Sequence, residues 1–392
     1  MIEIKNKKDC TGCSACYSIC PQNAIKMKED EEGFKYPVVD EKKCIKCGLC
    51  MKICPMQKNE EKNNDFKAYA CKNINERERL NSSSGGIFGL IAREILNQNG
   101  IVIGATFDKE NIVNHISINQ IEQLPLLYGS KYVQSNMNDI YKKTKQFLAA
   151  GKKVLFTGTP CQIEGLYSFL QHDYENLYTQ DLICHGVPSP KVWKMYLEYI
   201  SKKCGNKIKK IEFRNKDNGW KDFNLKITFE DNSIFEESHN TNIFMKLFLG
   251  NVILRDSCYS CKFKKIHRKS DITLADFWGI ENVLPRFDDD KGVSAVLINS
   301  NKGQEIFNKI KQDLICKEVN INDIIKYNEN AIESVNRNRH SKTFFSKFGE
   351  KNVDFEKLAK GSTKITLLDK IDNKIYRILK KLKIRSNNGR KK

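Results

Sequence analysis

The chain has 392 residues, 40% hydrophobic and 29% charged, enough for roughly two to three domains of about 150 residues and too apolar for wholesale disorder. No stretch reaches the roughly 18 uninterrupted apolar residues of a membrane span, and Met1-Ile-Glu-Ile-Lys5 lacks an apolar signal region, so a cytoplasmic protein is expected. Lys and Arg exceed Asp and Glu by 19, but nine of those basic residues lie from Lys374 onward; the remaining excess suits an anionic ligand, and no nucleic-acid partner is expected.

Fifteen cysteines without a signal region point to metal rather than to a disulfide scaffold. Cys10, Cys13, Cys16 and Cys20-Pro21 read C-x2-C-x2-C-x3-C-P, and Cys44, Cys47, Cys50 and Cys54-Pro55 repeat the run 34 residues later. In such a pair each run wraps three thiolates around one cluster and lends its fourth to the other. Cys10, Cys13, Cys16 and Cys54 are therefore assigned to one 4Fe-4S centre, and Cys44, Cys47, Cys50 and Cys20 to the second. Gly12 and Gly48 let the loops curl, and the prolines stop them. A pair of zinc sites is the competing reading. Residues 1–57 resemble the bacterial two-cluster ferredoxins, and the wholly polar stretch beginning at Lys58 reads as a linker over 58–66.

Beyond the linker the pattern alternates strands and helices. Ser82-Ser83-Ser84-Gly85-Gly86 precedes Ile87–Leu96, apolar at helical spacing, and Gly100–Phe107 reads as a buried strand. A Ser/Gly loop opening a helix can seat a phosphate; an ordinary helix cap is the plain alternative. Further along stand Gly129-Ser130-Lys131-Tyr132, then Thr157-Gly158-Thr159-Pro160-Cys161-Gln162 after a short strand, and Cys184-His185-Gly186. Arg214-Asn-Lys216, Gly219-Trp220, Cys258-x2-Cys261 and Ala275-Asp276-Phe277-Trp278-Gly279 complete the series.

This ordered set resembles the beta subunits of coenzyme F420 hydrogenases and dehydrogenases over roughly residues 67–335. The resemblance implies an α+β protein: a small ferredoxin-like domain, then a mixed α/β flavin-binding body in two parts, 67–150 and 151–340; the basic amphipathic tail over 341–392 is read from its own charge and spacing. It implies FAD, with Ser83, Ser84, Gly85, Gly86, Ser130, Lys131, Thr157, Gly158 and Thr159 lining its site; a solvated turn is the other role open to Lys131. It also implies an iron–sulfur centre in the body, for which Cys161, Cys184, Cys258 and Cys261 are the available four. Zinc, a reactive thiol or plain packing remain alternatives for them. Cys71, Cys204 and Cys316 have no partner in the pattern and are expected to be structural. Ala275 and Glu164 depart from the residues usual at their positions, which bears on the substrate side. No catalytic residue is singled out.

The implied activity is oxidoreduction between a small-molecule hydride donor or acceptor (coenzyme F420 or a similar substrate), FAD and 4Fe-4S clusters, with a redox partner protein. A reductase of another substrate, such as a polysaccharide precursor, is one alternative. A non-catalytic electron-transfer adaptor is another. In the tail, Leu368, Ile371, Ile375, Leu379 and Leu382 share one helical face flanked by lysines and arginines. Such a helix can pack on its own body or rest on anionic lipid at the inner face of the membrane.

Overall fold

A computed structural model describes residues 1–58, 66–350 and 353–364. The linker residues 59–65 and the amphipathic stretch beyond residue 364 lie outside them. The amino-terminal module is a two-stranded antiparallel hairpin, β1 (Ile25–Glu29) and β2 (Lys35–Val39), set between the two cysteine loops, each followed by a short helix, Ala15–Ile19 and Leu49–Lys52.

The body is built on an eight-stranded sheet. Its strands are β3 (Lys67–Asn73), β4 (Ile101–Phe107), β5 (Val113–Ile118), β6 (Val154–Thr157), β7 (Leu177–Leu182), then, after an excursion, β11 (Ile272–Asp276), β12 (Ser294–Ile298) and β13 (Leu314–Glu318). The excursion forms a separate three-stranded antiparallel sheet from β8 (Ile208–Asn215), β9 (Asn224–Phe229) and β10 (Ile234–Ser238). The large sheet runs β13-β3-β12-β11-β7-β6-β4-β5. Both parts of the body contribute strands to it, so residues on either side of position 150 share one hydrogen-bonded layer.

Four consecutive strands, β11, β7, β6 and β4, are parallel. Val154, Leu155 and Phe156 are buried on both faces of the sheet, as expected for a parallel strand covered by helices. One cover is Ile87–Asn97, whose Ile87, Leu90, Ile91 and Ile95 face Val102, Leu155 and Val296. The other includes Pro160–Leu170, whose Ile163 and Leu166 pack with Phe156 and Tyr141. Ligands of such sheets collect beyond the carboxyl ends of the parallel strands, and those ends are where the sequence motifs lie: Thr157 closes β6, Cys184 follows β7 and Asp276 closes β11.

The two modules are packed together. The β1–β2 turn drives Phe34, fully buried, into the aromatic core of the body beside Phe345. At Gly33 the approach is closer still, since an added Cβ would lie 2.2 Å from Cβ of Lys191. Residues 341–364 belong to the same core: Phe344, Phe348, Phe355 and Ala359, on helices His340–Phe348 and Phe355–Thr363, pack with Phe244 and Tyr196. No helix among the described residues is long and apolar enough to cross a membrane.

Candidate functional site: a cavity, three cysteine quartets and their junction

The two cysteine loops of the module repeat one backbone path. Gly12 and Ser14 in the first, Lys46 and Gly48 in the second, hold positive φ of 70°, 66°, 56° and 76°. The left-handed positions coincide, while the glycine has changed places between them.

Cys10, Cys13, Cys16 and Cys54 lie close enough to act on one another. Burial, followed by the like charge of Cys13, Cys10 and Cys54, pushes the Cys16 thiol well up. Cys13 is raised to about 12, by burial and then by Cys10 and Cys54. Cys20, Cys44, Cys47 and Cys50 instead line one small cavity at the far side of the module, where Cys47 is exposed. Thiolates that raise each other's pKa need a positive centre to be held together, which an iron–sulfur cluster would supply. Among the described residues no three His, Cys, Asp or Glu side chains are placed to hold a single metal ion. A cubane distributes its four thiolates over four irons, so its ligands stand further apart than those of one zinc.

A third group forms in the body. Cys161, at the start of helix Pro160–Leu170, is raised by burial and then by Cys261, Cys184 and Cys13. Cys184 and Cys258 are each pushed to about 12, by burial first, with Cys258 and Cys261 acting on the former and Cys161 and Cys261 on the latter. The four body cysteines are thus mutual neighbours. Lys264 lies among them, its Nζ donating to the His185 carbonyl at 3.3 Å. His185 itself is fixed as a neutral ring, donating from Nε2 to Asn251 (2.7 Å) and accepting at Nδ1 from Asn330 (3.2 Å), and burial lowers it to about 4. Both ring nitrogens are thus engaged within the protein.

Cys184 also lines a cavity of about 890 Å3 at the carboxyl ends of the parallel strands, near the upper end of the size of ligand pockets. Of the nine residues expected around FAD, eight line it: Ser83, Ser84, Gly86, Ser130, Lys131, Thr157, Gly158 and Thr159. Gly85 lies behind the wall, its amide donating to Ser294 Oγ at 3.0 Å and its Cβ position only 2.4 Å from the Cys71 carbonyl oxygen. Its smallness serves packing.

Several features of the cavity fit a large anionic cofactor. The helix Ile87–Asn97 opens onto it through Gly86, with no side chain capping its first amides, so those donors are free for phosphate oxygens. By contrast Thr159 and Gln162 form a complete capping box on the second helix, and its amides are already engaged. Ser83 Oγ accepts from the Ser130 amide (2.7 Å) and hydroxyl (2.9 Å), joining two distant motifs into one wall. Lys131 sits there with Nζ donating to the Tyr128 carbonyl at 2.7 Å, and burial lowers it to about 7. Gln180 Oε1 and Arg214 Nε, on cavity-lining residues, are buried without partners.

Other residues of this site stand in the sequence motifs without a role that their spacing reveals. Arg214 Nη1 pairs with Asp276 Oδ2 at 2.8 Å, its guanidinium lies 4.0 Å over the Phe223 ring, and Trp220 Nε1 donates to Asp276 Oδ1 at 3.0 Å. Trp220 stacks on Trp278 at 4.9 Å, interplanar angle 4°. This lock fixes the part of the cavity wall that holds Arg214, Phe223, Asp276 and Trp278. Lys216 Nζ donates to the carbonyls of Arg79, Ser84 and Lys291 at 2.8–2.9 Å, tying the serine loop down.

One junction links body and module. Fully buried Arg255 donates from Nε to the Cys10 carbonyl (2.8 Å), reaches Cys10 Sγ at 3.6 Å, and also holds the Lys35 carbonyl and Gln134. Tyr141, buried between them, feels both Cys13 and Cys161.

These are the parts of an iron–sulfur protein of the oxidoreductase type, with a ligand cavity wired to cysteine quartets. Residues 151–324 match the family model for the carboxyl-terminal part of the coenzyme F420 hydrogenase/dehydrogenase beta subunit, and residues 9–58 match a 4Fe-4S dicluster domain. Residues 151–324 therefore carry the carboxyl-terminal part characteristic of that beta-subunit family, a 4Fe-4S dicluster domain stands at the amino-terminal end, and the combination is that of an electron-transfer protein. No curated protein matches it. Among solved structures, a chain of the xenon-derivatised F420-reducing [NiFe] hydrogenase complex from Methanosarcina barkeri superposes with a TM-score of 0.49 at 17% identity, covering 74% of this chain and 95% of that one.

Proposed function

We propose that the chain is an FAD and iron–sulfur oxidoreductase that moves electrons between a hydride donor or acceptor, coenzyme F420 or a similar molecule, and a one-electron partner protein. The observation that carries this reading is continuity: Cys184 lines the large cavity, its quartet includes Cys161, and Cys161 neighbours Cys13 of the module. FAD, when bound, exchanges hydride as a two-electron unit and electrons singly with clusters.

The chain's own part is placement and charge. The amides of Gly86 to Phe88 with Ser83 and Ser130 would hold the phosphates, and Lys131 would set its ammonium against the ligand's negative charge. Trp278, backed by Trp220, and Phe223 would keep water from their part of the wall, and the Arg214–Asp276 pair would hold them in place. Cys161, Cys184, Cys258 and Cys261 would hold a body cluster, Cys10, Cys13, Cys16 and Cys54 the adjoining one, and Cys44, Cys47, Cys50 and Cys20 the outermost. A non-catalytic adaptor would have no use for a cavity of this size beside its clusters.

The test is anaerobic analysis of one sample for iron, sulfide and flavin, followed by reduction with F420H2 or NADH. Stoichiometric FAD and F420H2-dependent bleaching of the clusters support the reading. Clusters without flavin would return it to the adaptor.

A further inference from the structure

Cys71 and Cys316, without partners in the sequence pattern, face each other across the edge of the large sheet. β3 and β13 pair antiparallel with Cys316 directly opposite Cys71. The kind of pair follows from the hydrogen bonds at its two ends. The Ile74 amide donates to the Asp313 carbonyl and the Val319 amide to the Ala68 carbonyl. Both are pairs in the same register, an even number of residues apart along β3, so hydrogen-bonded pairs fall at Ala68, Ala70, Lys72 and Ile74. Cys71 and Cys316 therefore occupy a non-hydrogen-bonded pair, where α-carbons stand about 4.5 Å apart and side chains on the same face are closest. That separation lies within the range a disulfide spans, about 4.4–6.8 Å.

The two thiols differ in access. Cys71 is fully buried among Ile87, Ile91 and Val296, while Cys316 is half-buried on the outermost strand. Cys71 also stands opposite Ser294 on the next strand, and Ser294 Oγ receives the Gly85 amide. A covalent tie at this point would fix the strand on which the cavity's serine loop is packed.

We propose that Cys71 and Cys316 are a reversible dithiol–disulfide pair, closed by a low-molecular-weight disulfide such as oxidised glutathione. The accessible Cys316 thiolate attacks the glutathione disulfide, forming a mixed disulfide and releasing one glutathione thiol. Cys71 then displaces the second. The two protein thiols give up two electrons and two protons, and the glutathione disulfide takes them as two thiols. This pair is independent of the flavin and cluster reading, since neither cysteine belongs to a quartet.

The experiment treats the anaerobically purified holoprotein with oxidised glutathione, alkylates free thiols, and maps peptides without reduction. The expected product is a linked Cys71–Cys316 peptide that dithiothreitol reverses and that is lost in Cys316→Ser, whose half-buried position leaves the fold intact. Cys71→Ala should instead trap glutathione on Cys316. A wild-type protein in which Cys316 carries glutathione while Cys71 stays alkylatable on unfolding overturns the proposal. So does finding both thiols alkylated, or either one joined to a quartet cysteine.

Discussion

Gly165, on the body helix Pro160–Leu170, lies so near Cys13 of the module that a Cβ added to it would come 3.0 Å from the cysteine's Cβ and 3.1 Å from its sulfur. The helix that begins with Cys161 thus presents its smallest residue to the neighbouring quartet. Close approach of the two sets depends on that missing side chain.

The first prediction follows. Gly165→Val should overpack this contact, at a cost of about 1–3 kcal/mol, and push the module from the body. Iron and flavin content should stay unchanged while electron passage from reduced flavin to the module slows. Stopped-flow absorbance with a slow dye-coupled readout of the outer cluster measures it, and an unchanged rate would mean that electrons leave by another route.

Arg255 is buried with no carboxylate partner among its bonds, and one of its nitrogens faces Cys10 Sγ. A fixed positive charge beside a cluster favours its reduced, more negative form. Arg255→Gln should lower the potential of the cluster held by Cys10, Cys13, Cys16 and Cys54, by an amount on the order of tens of millivolts. Arg255→Lys, which keeps the charge, should move it less. Redox titration followed by electron paramagnetic resonance separates the two variants.

Cys47→Ser tests the outer quartet. Cluster iron should fall by one centre, and exit of electrons to a partner protein should fail. Reduction of the flavin by its substrate should survive, because the cavity lies on the other side of the junction. Equal loss of both activities would make the module a structural part.

Lys131 gives a pH dependence. In the free protein burial lowers its ammonium to about 7, and an anionic ligand would hold the proton on to higher pH. Binding then requires proton uptake above pH 7, so affinity falls as pH rises, by at most about tenfold per unit for one linked proton. Fluorescence titration of flavin-depleted protein with FAD between pH 6 and 9 should show this slope in the wild type and a weaker, flat profile in Lys131→Met. A slope that persists in the variant assigns the proton elsewhere.

Lys42, Lys43, Lys46 and Lys52 are exposed around the outer quartet, with no acid between residues 42 and 52. An acidic electron carrier would be steered to such a rim. Lys42, Lys43 and Lys46 together changed to Glu should slow bimolecular exchange with an acidic ferredoxin and abolish its salt dependence, leaving exchange with a small neutral dye unaffected. An unaltered rate with the ferredoxin would place the docking face elsewhere.

The sequence made the module legible because its chemistry is local: ligand spacing and loop curvature are set within a few residues. The helix Ile87–Asn97 and the strand Ile101–Phe107 were legible through periodicity. What stayed hidden depends on long-range pairing. Nothing near Cys71 announces Cys316, because strand register is fixed by the whole sheet. Arg255 reads as one more arginine until the module packs on it, and Gly165 as a helix defect. Gly85 shared a motif with its neighbours, yet the backbone turns it toward Cys71 while Ser83 and Ser84 face the cavity.

Phe34 carries a consequence for how this molecule meets its partners. A carrier domain on a tether can travel, loading at one place and discharging at another. Here the hairpin tip is sunk in the aromatic core beside Phe345, and moving it would tear open that core. The module is a fixed terminal, so any partner has to come to it, and the order in which electrons visit the quartets is set by architecture instead of by diffusion.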